Sequence, residues 1–110
     1  MAKKRYAFVG SCGYSVTSAA AIEINPTETR EIVTIALGED ATLNIGADAL
    51  PTIGDEVVVV ASSDGTARDL TFGTGITGPV LAGAINKTKV QSFIYNGTAF
   101  VASGAPVQID

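Results

Sequence analysis

The chain has 110 residues, enough for one domain, and 46% of them are hydrophobic, enough for a core. Its net charge of −4, with seven basic residues in all, excludes nucleic acid as the main partner, because phosphate binding needs clustered Lys and Arg. One cysteine excludes an intrachain disulfide, and no apolar run reaches the roughly 18 residues of a membrane span.

The chain opens on Lys3, Lys4 and Arg5, followed by the apolar Tyr6, Ala7, Phe8 and Val9. This imitates a secretory signal, and Val9-Gly10-Ser11 before Cys12 resembles a lipidation site. The apolar stretch is about six residues, short of the roughly 7–15 a signal needs. Residues 1–20 are therefore read as an N-terminal arm with a first strand at residues 5–9. The basic triplet is a candidate contact with an acidic partner surface.

Residues 21–110 are expected to form a single β-sandwich domain. Residues 18–24 read as a strand with Ile22 and Ile24 on one face, interrupted by Asn25-Pro26. Residues 27–31 allow the start of a helix, but residues 32–37 are strand-like, with Val33, Ile35 and Leu37 sharing a face. After a turn at residues 38–40, Leu43 and Ile45 alternate within residues 41–45. Residues 46–52 form a loop with room for a turn of helix at residues 47–50. Residues 56–61 are a β-branched run suited to a strand buried on both faces or nearly so.

Asp64-Gly65 carries the chemistry of a tight hairpin turn. Leu70 and Phe72 then alternate with Asp69 and Thr71. Residues 73–79 are a glycine-rich loop, and residues 80–85 a short apolar run. Residues 89–95 and 98–102 are expected to pair as a hairpin around Asn96-Gly97, the preferred type I′ dipeptide. Residues 106–109 are a last extended piece. Val58, Val60, Leu70, Phe72 and Ile94 are expected in the core. Turn signals spaced roughly every eight to twelve residues, with no internal repeat, predict an all-β fold: a small β-sandwich or jelly-roll-like barrel of about eight to ten short strands.

The candidate chemistry is thin. Gly73, Gly75 and Gly78 spell GxGxxG, but Pro79 and a β-like run follow, where a dinucleotide site needs a helix. No histidine exists to activate Cys12 or to join it on zinc. Glu39-Asp40 and Asp55-Glu56 are adjacent pairs, whose members point to opposite faces of a strand and so clamp neither a metal nor a glycosidic bond. Asn86-Lys87-Thr88 and Asn96-Gly97-Thr98 match the glycosylation pattern and also suit turns. Tyr95, Asn96, Gly97 and Phe100 are a candidate surface-recognition hairpin, with two aromatic rings available to a sugar. No catalytic residue, cofactor or metal is expected.

The order GDEVVVVASSDGTARDLTFGTGI, then KTKVQSFIYNGTAFVASG, resembles a pattern that recurs in bacteriophage virion proteins of the head-decoration, head-fibre and tail-fibre type. There a Gly-Asp strand, a DGT turn and an LTFG strand precede a last hairpin of the form F-x-Y-[ND]-G-T. The likeness covers residues 54–103. Where an aromatic, often Trp, usually follows the final NGT, this chain has Ala99-Phe100. The resemblance implies a non-enzymatic virion protein, assembled in the host cytoplasm. In that reading it is a capsid decoration or cement protein, contacting the major capsid protein or other virion proteins as a homo-oligomer, with a trimer favoured. The alternative is a tail, baseplate or fibre accessory module that binds a host receptor or glycan. Neither reading involves nucleic acid or membrane.

Overall fold

The computed structural model describes residues 11–110. The strand expected at residues 5–9, and Lys3, Lys4 and Arg5, lie outside the described residues. The described residues form ten strands and no helix: β1 (Ser11–Val16), β2 (Ala21–Ile24), β3 (Arg30–Leu37), β4 (Ala41–Ile45), β5 (Glu56–Ser63), β6 (Leu70–Phe72), β7 (Ile76–Thr77), β8 (Thr88–Tyr95), β9 (Phe100–Ala102) and β10 (Val107–Gln108). The fold is all-β, as the β-branched runs predict. The turns of helix for which the sequence left room do not form. β3 already begins at Arg30, and residues 47–50 hold a turn in which the Ala49 N–H donates to the Gly46 carbonyl.

The connections overturn the expected sandwich or jelly-roll barrel. Successive strands alternate between two sheets, with β1, β3 and β5 parallel in one and β2, β4 and β6 parallel in the other. Three solenoid-like coils result, each giving one strand to each sheet. A sandwich of hairpins would pair chain neighbours antiparallel. Among the described strands only β8 and β9 do so.

Asp64-Gly65 shows the local reason. A type I′ turn needs positive φ at both central residues, and Gly65 does not have it. Asp64 Oδ1 instead accepts the Thr66 N–H at 3.0 Å and pairs with Arg68 Nε at 3.2 Å. The turn opens into an arc, residues 64–69, that carries the chain to the second sheet. The missing sequence repeat has a related cause. Ser11 pairs with Arg30 and Arg30 with Glu56, intervals of 19 and 26 residues. Coils stacked at one spacing thus differ in length, and the excess sits in their corner loops.

The corners stack as the strands do. Ser18 Oγ accepts the Gly38 N–H at 3.1 Å, and Asp40 Oδ1 accepts the Asp69 N–H at 2.9 Å. At the opposite end Asn25 Oδ1 accepts the Asp48 N–H at 3.1 Å. Each short polar side chain satisfies a backbone donor that a loop cannot pair internally.

Between the sheets, side chains line up in rows. Glu31, Val33, Ile35 and Leu37 of β3 point inward. Val33 lies beside Val59, and Val59 beside Gln91. The second sheet contributes a row of Ile22, Leu43 and Phe72. Phe72 meets Phe93 across the core at an interplanar angle of 65°, ring centroids 4.6 Å apart. Leu70 and Phe72 are core residues as expected. Val58, Val60 and Ile94 are not on the core face: Val57, Val59 and Phe93 occupy it. Val58 is still buried, but Ile94 is 44% exposed. A run of four valines has no alternation from which to choose a face, and a slip of one residue exchanges the two.

β8 ends the solenoid by pairing antiparallel with β5. β9 and β10 both pair antiparallel with β8, and β7 runs parallel to β9. The outer edge of β6 is met by Leu81, which exchanges backbone hydrogen bonds of 2.9 and 3.1 Å with Leu70. The β8–β9 hairpin forms, but its turn is not type I′. Only Gly97 has positive φ, at 102°, and Tyr95 pairs with Phe100 around a four-residue loop. Asn96 Oδ1 holds that loop by accepting the N–H groups of Thr98 and Ala99.

Phe93 is fully buried and touches the opposite sheet, so Phe93→Ala is expected to cost about 3–5 kcal/mol in chemical denaturation. A loss below about 1 kcal/mol would contradict its central position.

Candidate functional site

A polar cluster inside the fold is built on Glu31. Period-two alternation along β3 turns it inward with Val33 and Ile35, and it is 4% exposed. A buried carboxylate needs donors, and three are present. Tyr14 Oη donates to Oε1 at 2.9 Å, and the N–H groups of Thr27 and Glu28 donate to Oε2 at 2.7 and 3.0 Å. Glu31 therefore ties β1 and the corner after β2 to β3. Cys12, directly opposite it in register, is exposed. Desolvation against the strand, then the carboxylates of Glu31 and Glu28, push its thiol up, away from the reactive thiolate. Desolvation and the bond to Glu31 also push the Tyr14 hydroxyl well up.

The acidic pairs are taken apart by the fold. Asp55 is buried and its Oδ2 accepts the Thr52 N–H at 2.8 Å, while Glu56 meets Arg30 at 2.9 Å on the other face of the strand. Asp40 holds the arc through Asp69, and Asp69 Oδ1 accepts the Gly83 N–H at 3.2 Å. On the exposed arc, Arg68 and the Thr66 N–H hold the Asp64 carboxyl below its usual range. No group of three or more potential metal ligands occurs among the described residues.

The GxGxxG stretch crosses between strands. Its Thr74 carbonyl accepts the Ile45 N–H at 2.8 Å, and its Gly75 carbonyl the Phe100 N–H at 2.9 Å. At Gly78 a Cβ would stand 3.1 Å from the Phe93 ring and 3.0 Å from Ala102 Cβ. These glycines admit neighbouring chain segments, where a dinucleotide loop would open a helix.

The candidate recognition hairpin is closed on itself. Phe100 is fully buried and lies 5.1 Å from the half-buried Tyr95 ring. The Tyr95 hydroxyl donates to the Gly97 carbonyl at 3.1 Å. The residues that do face outward here are Ile94 and Val101, directly opposite one another. Sequence reasoning placed Ile94 in the core and singled out neither Val101 nor Glu31. The signal for Glu31 was available in its parity with Val33, Ile35 and Leu37. Neither a protein-family model nor a curated protein matches the chain.

The Tyr14–Glu31 bond has a pH signature. The unfolded tyrosine titrates near about pH 10, and the folded one higher. The native state thus holds a proton that the unfolded state has lost, and the stabilisation present below about pH 10 is lost as pH rises further. Between about pH 9 and 11, wild-type stability should fall more steeply than that of Tyr14→Phe. Equal slopes in urea titrations would show that the hydroxyl is not held by Glu31.

Proposed function

We propose that the chain is a non-enzymatic structural protein of a phage particle, a decoration or cement protein that binds the capsid surface as a homo-oligomer, with a trimer favoured. The observation that carries this reading is the ordered resemblance over residues 54–103. Those residues run continuously from the third coil through the arc and the glycine-rich crossing to the β8–β9 hairpin. The proposed partners are the major capsid protein or other virion proteins, and the proposed location is the virion.

The uses made of the polar side chains agree with a structural role. Glu31, Asp40, Asp55 and Asp69 accept hydrogen bonds from loop or coil-corner backbone, and Glu56 is paired with Arg30. The reading as a glycan- or receptor-binding tail module draws on Tyr95 and Phe100. Burial of Phe100 and the internal bond of Tyr95 favour decoration over it.

Quantitative mass spectrometry of purified particles tests the proposal. A copy number comparable with that of the major capsid protein is expected. A few copies per particle would move the chain to the tail, and its absence from particles would sink the virion reading.

A further inference from the structure

The larger sheet carries apolar side chains on both faces, with Thr34, Ser62, Thr88 and Ser92 interspersed on the outward one. Its inward face packs against the smaller sheet. On its outward face the register sets Ile32 beside Val58 and Val60 beside Val90. Outward parity continues through Ile94, Val101 and Val107, which are 44%, 37% and 57% exposed. These seven residues lie on five neighbouring strands; Val58 is itself buried, and Ile94, Val101 and Val107 are the exposed part of the face. Parallel strands are ordinarily covered on both faces, and a contiguous apolar patch of this kind marks an association surface.

Charge identifies what covers it. Among the described strand positions of this face, the only charged residues are Arg30 and Glu56, which lie opposite one another and pair at 2.9 Å. The chain as a whole carries −4. In a two-fold contact the same patch meets itself, so a patch with net charge would face like charge. A face that is neutral by internal pairing, on an acidic chain, is suited to its own copy. It offers nothing to attract a charged partner. On β1, Gly13 and Ser15 leave the margin of the face low, so a second sheet can approach to the usual separation of about 10 Å.

We propose that this outward face is the surface through which the chain associates with a second copy of itself. The proposal rests on the homo-oligomer part of the function proposed above and names the contact that makes it.

Light scattering on the purified full chain tests it. Wild type should have the mass of two or more chains. Ile94→Lys and Val107→Lys, each shown folded by circular dichroism, should have the mass of one. Val80→Lys, at a loop position 49% exposed beside the Leu81 bridge to the smaller sheet, should keep the wild-type mass. A single-chain mass for wild type, or wild-type mass in both folded variants, overturns the proposal. Should the lysine variants fail to fold, Ser92→Cys in a Cys12→Ala background reports directly. Ser92 lies opposite Val58 on the same face, and its maleimide labelling should slow as protein concentration rises. Labelling independent of concentration overturns the proposal. The experiment contains no particle, so an assembled chain that is missing from virions would refute the virion reading and leave this one standing. A folded, single-chain protein bound to capsids would do the reverse.

Discussion

The Phe93 ring fixes how the two sheets meet. It projects from the strand that ends the coils, lies 4.6 Å from Phe72 on the opposite sheet, and comes so close to residue 78 that a side chain there would be crowded. Sheet, sheet and glycine-rich crossing are thereby held at one separation. The remaining rows, Val33 beside Val59 and Ile22 beside Leu43, are shorter and fill the space this contact sets. With few aromatics in the chain, one edge-to-face pair takes the place of the larger aromatic clusters that often anchor a core.

Coiling has a cost and a consequence. Each corner leaves backbone groups that no strand pairs, and the chain answers with short polar side chains at Ser18, Asn25, Asp40 and Asp69. Asp40 and Asp55, one from each acidic pair, are thus committed to closing loops. The larger sheet also carries apolar side chains outward, with Ile94, Val101 and Val107 exposed.

Strand existence was legible because β-branched runs and alternation are local properties. Residues such as Val33, Ile35, Leu37, Leu43 and Phe72 declared their faces from spacing alone. Connectivity was not legible, because Asp-Gly suits both a hairpin turn and a wider arc, and the choice depends on the sheet across the core. The unequal coil lengths hid the repeat that would have pointed to a solenoid. Val57 to Val60 could not reveal its inward face, since both parities are apolar, and the error passed to its partner Ile94. That same ambiguity is informative afterwards, because a strand that cannot be told inside from outside is one that both faces bury. At the candidate hairpin, Tyr95 and Phe100 share the inward face, and nothing in the NGT motif itself announces that.

The central structural claim is that β3 and β5 are stacked coils and not members of a sandwich of hairpins. Nuclear Overhauser spectroscopy of the labelled chain tests this most directly. Antiparallel neighbours bring opposing Hα atoms close together, whereas parallel neighbours do not. The account predicts amide-to-Hα contacts between the segments around Val33 and Val59 with no strong Hα–Hα cross-peak, alongside strong Hα–Hα cross-peaks between β5 and β8. A strong Hα–Hα ladder joining β3 to β5, or joining β5 to β6 across Asp64-Gly65, would contradict it and restore the hairpin sandwich.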